Sequence, residues 1–512
     1  MTNQEPRLAQ LLEPALTSRP EAVAVAAGGR QVTFRELDEL AGRLAAAFAD
    51  AGLAGERVAT LLPNSIELIA CYLACWRAGA IAVPFEYVDA PPEIGYGLAD
   101  SGALWLVVHE EKLADLARVD LRATALREVI VVGDPFPGRR HISELLATEP
   151  RPLPPPSDET LAVILYTSGS TALPKGVTHS HASAAGIIAS VLDALPQVGP
   201  ESRIVVHDTV SHMGGWIETF PFLWRGASVS LTREFDPAIF YEELRRVRPT
   251  VVGAHVDHLW QIVRFAGARR EDFASVGTVF TGGDELPLAL QHAFLKLAGR
   301  PIQVGWGMTE AIWLTVCREP ELERRGRLGR PVAGVALRVA DLRTRSFGRE
   351  LPDGEPGELW VRGPMVTPGY WRRPEADGET RVEGGWFRTG DMGFRAADGE
   401  YWFTGRRKQI IERNSENITP GEIEQALYRH PAVAEAGAFG VADPEEGQVP
   451  IAYVTFVAGT SATEQELKDF LATQIAAFKI PARILSIDRI PLTASGKIDH
   501  QALVARYVSG AA

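Results

Sequence analysis

Tyr166-Thr-Ser-Gly-Ser-Thr-Ala-Leu-Pro-Lys-Gly-Val177, together with the apolar run Leu161-Ala-Val-Ile-Leu165 before it, decides how the rest of the chain is read. The apolar run has the length and composition of a buried strand. It gives way to small hydroxyl residues, Gly169 and then Pro174-Lys175-Gly176. A loop of this kind can turn backbone N–H groups, the hydroxyls of Thr167, Ser168, Ser170 and Thr171, and one ammonium toward a polyphosphate. A polar hairpin turn has the same composition, so both readings stand at this point. The common P-loop requires glycine directly before the lysine and Ser or Thr directly after it. Pro174 and Gly176 flank Lys175 here, which excludes that loop.

Working outward, the 512-residue chain is long enough for about three domain-sized units. Its 46% hydrophobic and 23% charged content are those of an ordinary globular protein. A net charge of −13 argues against nucleic acid as a partner and means that an anionic substrate must be drawn in by a local field. Cys71, Cys75 and Cys317 form no metal-ligand spacing, so a reduced, cytoplasmic setting without disulfides is expected. Residues 1–6 lack the basic and apolar regions of a secretory signal. The most apolar stretch, 69–85, contains Arg77, Gly79 and Pro84 and reads as a helix turning into a strand, not a membrane span. Only seven lysines stand against 45 arginines, and four of them, Lys175, Lys408, Lys479 and Lys497, fall in the motifs below. A lysine retained in such a background suits a compact, movable point charge.

Residues 5–50 read as an exposed helix, a hairpin at Gly28-Gly29 and an amphipathic helix over 34–51. Strand and helix then alternate through residue 150, the pattern of a layered α/β domain with parallel strands. Arg151-Pro-Leu-Pro-Pro-Pro156 is a stiff connector into the strand 161–165. Alternation resumes with strands expected at 203–207, 227–232, 250–254 and 277–281. From 335 to 404, short strands punctuated by Asp353-Gly354, Gly384-Gly385 and Asp398-Gly399 read as an antiparallel, barrel-like unit. A small α+β block follows Gly405, with a helix opened by Pro420, two strands and a helix over 464–476. The expected division is 1–404 as a large N-terminal domain, 405–409 as a hinge containing Lys408 and Gln409, and 410–512 as a small mobile C-terminal domain.

Four further stretches carry chemistry. In Gly305-Trp-Gly-Met-Thr-Glu310, two glycines bracket Trp306, whose ring can lie against a base. Thr309 can bond a phosphate oxygen, and Glu310 offers the hard oxygen that Mg²⁺ prefers. A tight turn with a capping Thr-Glu is the competing reading. Arg388-Thr-Gly-Asp391 places a carboxylate after a glycine turn, where it can grip two ribose hydroxyls or simply bond its own backbone. Phe403-Thr-Gly-Arg-Arg-Lys408 offers Arg406 to a ribose or phosphate, and Pro491-Leu-Thr-Ala-Ser-Gly-Lys497 offers a lysine on a glycine turn.

Taken in order, these stretches resemble the signatures of the adenylate-forming superfamily, which comprises acyl-CoA synthetases, peptide-synthetase adenylation domains and luciferases. The likeness runs from about residue 25 to the C-terminus and includes Gly282-Gly-Asp-Glu-Leu286, Gly357-Glu-Leu-Trp-Val-Arg-Gly363 and Ala477-Phe-Lys-Ile-Pro481. Glu416-Asn-Ile418 and Phe478-Lys-Ile-Pro481 look most like the acyl-CoA synthetase branch. The chain departs from the pattern at Ala172 and Gln409, and at Trp306, where tyrosine is usual. It also carries Asn414-Ser415 where glycines commonly line the thiol's path.

The resemblance implies ATP-dependent activation of a small carboxylic acid as an acyl-adenylate, then transfer to CoA. A carrier-protein thiol or an amine remains the alternative acceptor, because Ser415 narrows the thiol's path. The implied nucleotide site comprises Thr167, Ser168, Gly169, Ser170, Thr171, Lys175, Gly282, Gly283, Asp284, Gly305, Trp306, Gly307, Met308, Thr309, Asp391, Phe403 and Arg406. Mg²⁺ would sit on Glu310 and Thr167. Lys497 would bridge the carboxylate and the α-phosphate, and His212, Met213, Gly214, His255, Gly307 and Trp313 would form the acid pocket. Retention of Lys175, Glu310, Asp391, Arg406 and Lys497 together speaks against a nucleotide binder that has lost catalysis.

Overall fold

The computed structural model describes residues 6–167, 174–283, 286–320, 326–341, 349–413, 416–444, 446–491 and 498–510, without the side chains of Lys408, Glu412, Glu416 and Asn417. Two large sheets form the N-terminal part. In the first, parallel strands run in the order Val23–Ala27, Ser228–Leu231, Arg203–Val206, Val251–Gly253, Thr278–Gly282 and Ile302–Met308. Ala311–Cys317 turns back antiparallel, and Arg327–Pro331 joins it to the antiparallel strands Tyr401–Arg406, Trp386–Arg395, Gly357–Arg362 and Ala336–Ala340. The second sheet has a parallel run of Leu161–Thr167, Ile81–Pro84, Arg57–Leu61, Trp105–His109, Glu128–Val132 and Arg140–His141. The strand Lys175–Ser180 closes its other side antiparallel.

Helices between the two sheets explain the unusually apolar stretches of sequence. Ile66–Ala78 is capped by Ser65, whose hydroxyl accepts from the Leu68 N–H at 3.2 Å, and it ends at Gly79 in the left-handed conformation. It touches strands of both sheets, as does His181–Ala194, so neither needs a polar face. Tyr72 and Trp76 of the first helix interlock with Trp216 and Phe220 of Met213–Trp224, with ring centroids 4.6–6.1 Å apart. Burying such rings contributes about 1.5–3 kcal/mol each. Both polar tips are satisfied: the Tyr72 hydroxyl donates to Val210 O at 2.9 Å and the Trp76 N–H to Ala162 O at 3.2 Å.

Two expectations are corrected. The N-terminal helix is not exposed, because Leu8, Leu11, Leu12 and Ala15 are fully buried against the helices of the core. Positions 8, 11, 12 and 15 keep the i, i+3, i+4, i+7 spacing of one helix face, and that face is the buried one. The helix expected over 464–476 ends at Ala472. Among the described residues no helix is long and apolar enough to cross a membrane, and Cys71, Cys75 and Cys317 are buried.

The small C-terminal domain has its own sheet, built from Ile411–Arg413, Glu416–Ile418, Val433–Asp443, Gly447–Phe456 and Arg483–Ser486. The strand Tyr401–Arg406 belongs to the large sheet, so the chain passes between sheets across 407–410. There the Gln409 side-chain amide lies 3.0 Å from His500 Nδ1, at the start of the helix His500–Ser509.

Candidate active site

A cavity of about 780 Å³ opens at the carboxyl ends of both parallel runs, the position where α/β sheets bind ligands. Asp208 follows the strand Arg203–Val206, His255 follows Val251–Gly253, Gly282-Gly283 ends Thr278–Gly282, and Gly307-Met308 ends Ile302–Met308. From the second sheet come Phe85 and the hairpin formed by Leu161–Thr167 and Lys175–Ser180, whose two ends are Thr167 and Pro174. The Tyr96 hydroxyl donates to Pro174 O at 2.7 Å, and the Tyr166 hydroxyl donates to Asp100 at 2.8 Å. Arg373 also pairs with Asp100, at 2.6 Å. The base of the hairpin is thus braced by Tyr96 and Asp100. Ser168, Gly169, Ser170 and Thr171 lie outside the described residues, as do Asp284, Asn414, Ser415 and Lys497.

Thr309-Glu310 is the turn between the antiparallel strands Ile302–Met308 and Ala311–Cys317, so it is both a tight turn and part of the cavity wall. Glu310 Oε1 accepts from the Tyr370 hydroxyl at 2.7 Å, and Lys175 Nζ lies 5.5 Å from the centroid of the same ring. The Glu310 carboxylate and the Thr167 hydroxyl face one cavity with hard oxygen donors, a set that suits Mg²⁺. His179 braces the turn from behind, its Nε2 lying 2.8 Å from Thr309 O.

Trp306 and Asp391 are buried beside Arg406. The indole N–H donates to Asp391 Oδ2 at 2.8 Å, and Arg406 Nε lies 2.7 Å from Oδ1. Asp391 and Arg406 are direct cross-strand partners, and of the three residues only Arg406 lines the cavity. The expectation was a Trp306 face turned toward the base. The ring is instead 8% exposed and orients the Asp391 carboxylate. Thr167, Gly282, Gly283, Gly307, Met308, Thr309 and Glu310 line the cavity, Lys175 and Gly305 lie in strands that reach it, and Phe403 lies in the strand that carries Arg406.

His212, Met213, Gly214, His255, Gly307 and Trp313 all line the same cavity. His212 caps the helix Met213–Trp224, accepting from the Gly214 N–H at 3.2 Å, and its ring centroid lies 6.4 Å from that of His255. The space at Gly307 is taken by its own hairpin, since an added Cβ would meet Ala311 O at 2.9 Å. At Gly305 the Trp313 indole lies directly on the backbone, packed edge-on to Phe280 at 5.0 Å. Gly305→Ala is therefore expected to push Trp313 into the acid side of the cavity. A stability loss of about 1–3 kcal/mol should accompany reduced activity, read by thermal unfolding and by ATP–pyrophosphate exchange.

Sequence reasoning placed His255 in the acid pocket but missed the buried carboxylate it meets. Asp208 meets His255 Nε2 at 3.2 Å and His258 Nδ1 at 3.1 Å. Burial raises the Asp208 carboxyl, but the surrounding imidazoles of His255, His258 and His207 outweigh it and hold the group well below the usual carboxylate range. Glu218 lies on the helix Met213–Trp224, and both burial and Asp208 push its carboxyl well above that range. A signal for both was present: Asp208 directly follows a parallel strand, and Glu218 is the single acid in an apolar helix.

Three buried histidines make stability depend on pH. Burial lowers His179, His181 and His207 from about 6.5 to about 4. The unfolded chain takes up these protons first, so the stability present above pH 6.5 is lost progressively as pH falls toward 4. Denaturation melts from pH 7.5 to 5 should show the midpoint falling, and His181→Gln should make that fall shallower.

Residues 12–371 match the AMP-binding enzyme family, and residues 422–497 match the AMP-binding enzyme C-terminal domain. The chain is 33% identical to a feruloyl-CoA synthase of an Amycolatopsis species over 485 residues, 94% of each chain. Among solved structures it resembles ATP-bound MatB from Rhodopseudomonas palustris, with 26% identity, a TM-score of 0.84 and coverage of 98% and 99% of the two chains. The amide bond synthetase McbA from Marinactinospora thermotolerans is similar at 28% identity, with a TM-score of 0.83 and the same coverage. The chain belongs to the AMP-binding enzyme family of adenylate-forming proteins. It is an ATP-dependent, AMP-forming ligase of the acyl-CoA synthetase type, which activates a carboxylic acid through an acyl-adenylate.

Proposed function

We propose that this cavity joins ATP to a small organic acid and then passes the acyl group to the thiol of CoA. The observation that carries the proposal is the single cavity in which Thr167, Thr309, Glu310 and Arg406 share walls with His212, His255 and Trp313. In the first step a carboxylate oxygen of the acid attacks the α-phosphorus, forming a P–O bond as pyrophosphate leaves. In the second, the sulfur attacks the acyl carbon and AMP departs.

Each residue has a part in bringing two anions together, which only convergent cations and N–H groups offset. The hairpin loop 167–175, with Lys175, cradles the outer phosphates. Thr309 bonds the α-phosphate, and Glu310 with Thr167 holds Mg²⁺. The metal supplies charge neutralisation on the phosphates. Gly282 to Asp284 and Met308 seat the adenine, and Asp391, oriented by Trp306, grips the ribose beside Arg406. Lys497 bridges the reacting anions from the C-terminal domain. That domain then rotates about Gln409, breaking its contact with His500, to admit the second substrate.

Pyrophosphate exchange over a panel of acids tests the first step, and AMP release with thioester formation on adding CoA tests the second. An acid that exchanges but yields no thioester would overturn the CoA assignment. Capture by an amine is the second reading, supported by the likeness to an amide bond synthetase. Amide formation, or loading of a carrier-protein thiol, in place of CoA turnover would establish such an acceptor.

A further inference from the structure

One group on the acid side lacks a purpose in the chemistry above. Glu218 is 2% exposed yet lines the cavity, and its Oε2 has no hydrogen-bond partner. An unmatched buried carboxyl is costly, and native interiors retain one only where something else compensates. The chain has also cleared space for it: a Cβ at Gly253 would collide with Glu218 Oε1 and with the Phe280 ring. Asp208, the neighbouring carboxylate, is already engaged by His255 and His258 and has no proton to offer Glu218. The lining includes the apolar Ile217, Ala254, Phe280, Ile312 and Trp313. The pocket thus sets apolar surface beside an unpartnered carboxyl oxygen, with the Ser211 and Thr281 hydroxyls also unpartnered on its lining, and a few such polar groups fix a ligand's orientation and identity.

Resting on the acid-activation reading, we infer that Glu218 is a specificity-determining residue. It selects acids with an apolar body whose far end carries a hydroxyl or amino group that hydrogen-bonds to its carboxyl. Burial and the Asp208 charge push the Glu218 carboxyl well above its ordinary range, toward the protonated form that both donates and accepts. A hydroxyl or an amino group matches either direction. The same acid with hydrogen at that position leaves the carboxyl unpaired, and sites built to bond a substrate O–H or N–H reject such analogues strongly.

The test is ATP–pyrophosphate exchange with matched pairs of aryl acids, each pair differing only by a ring hydroxyl or amino group. The parent enzyme is expected to favour the polar member in kcat/KM by at least about tenfold, within the range of about 10⁴ known for such sites. Glu218→Gln, which keeps a donor and an acceptor, should preserve the preference. Glu218→Leu should remove or invert it, with thermal melts confirming that both variants fold. Equal kcat/KM for both members in the parent enzyme would overturn the inference while leaving acid activation intact. A preference that survives in Glu218→Leu would overturn it equally. Absence of exchange with every acid would overturn the activation reading itself, and this inference with it. The parent enzyme's ratio needs no variant to fold, so a misfolded Glu218→Leu does not shelter the inference.

Discussion

Replacing Lys497 by Ala is expected to slow ATP–pyrophosphate exchange by about 10²- to 10³-fold, roughly 3–4 kcal/mol in the first transition state. Transfer from a pre-formed acyl-adenylate should continue near the parent rate. The asymmetry follows from charge. Only the first step drives a carboxylate into a phosphate, so only that step needs an ammonium between them. Lys497 lies outside the described residues, but the ends of its loop are held together, with the Asp499 N–H donating to Pro491 O at 2.9 Å. Equal losses in both half-reactions, measured by exchange and by single turnover of a synthetic adenylate, would remove the role assigned to Lys497.

Asp391→Ala is the second large effect expected. It leaves the buried Trp306 N–H without an acceptor and Arg406 without its partner. A stability loss of about 1–3 kcal/mol should result from the unpaired donor alone, and the KM for ATP should rise about 100-fold with loss of the ribose grip. Asp391→Asn separates the two effects, because its carbonyl still accepts from Trp306. Denaturant melts should recover most of the stability while the KM for ATP stays high. A normal KM in Asp391→Asn would mean that the carboxylate serves only the fold.

Much of this architecture was legible in the residues themselves, for identifiable reasons. Strand–helix alternation marked the parallel runs because strands covered on both faces read as unbroken apolar runs. The turn at Thr309-Glu310 was visible because tight backbone geometry restricts composition, whereas Arg388–Asp391, read as a glycine turn, lies within the strand Trp386–Arg395. What stayed hidden depended on long-range contact. Trp306 offers an apolar face in any local reading, and only the distant Asp391 shows that its N–H is the working end. Glu218 looks like a misfit in its helix until Gly253 and Asp208 are seen around it. Gln409 gave no sign of its partner, because His500 arrives from a helix at the far end of the chain.

The interlocked rings of Tyr72, Trp76, Trp216 and Phe220 have a consequence for the chemistry as well as for the core. The hairpin proposed for phosphate grows from one sheet and the residues proposed for the acid from the other, so the gap between the two proposed subsites is a dimension of the sandwich. The rings act as its spacer block, and the helix they grip is the one that carries His212 at its cap and Glu218 on its inner face. A close-packed interior does not compress smoothly. Shrinking one of these rings is therefore expected to disturb the spacing of the two proposed subsites as well as the core.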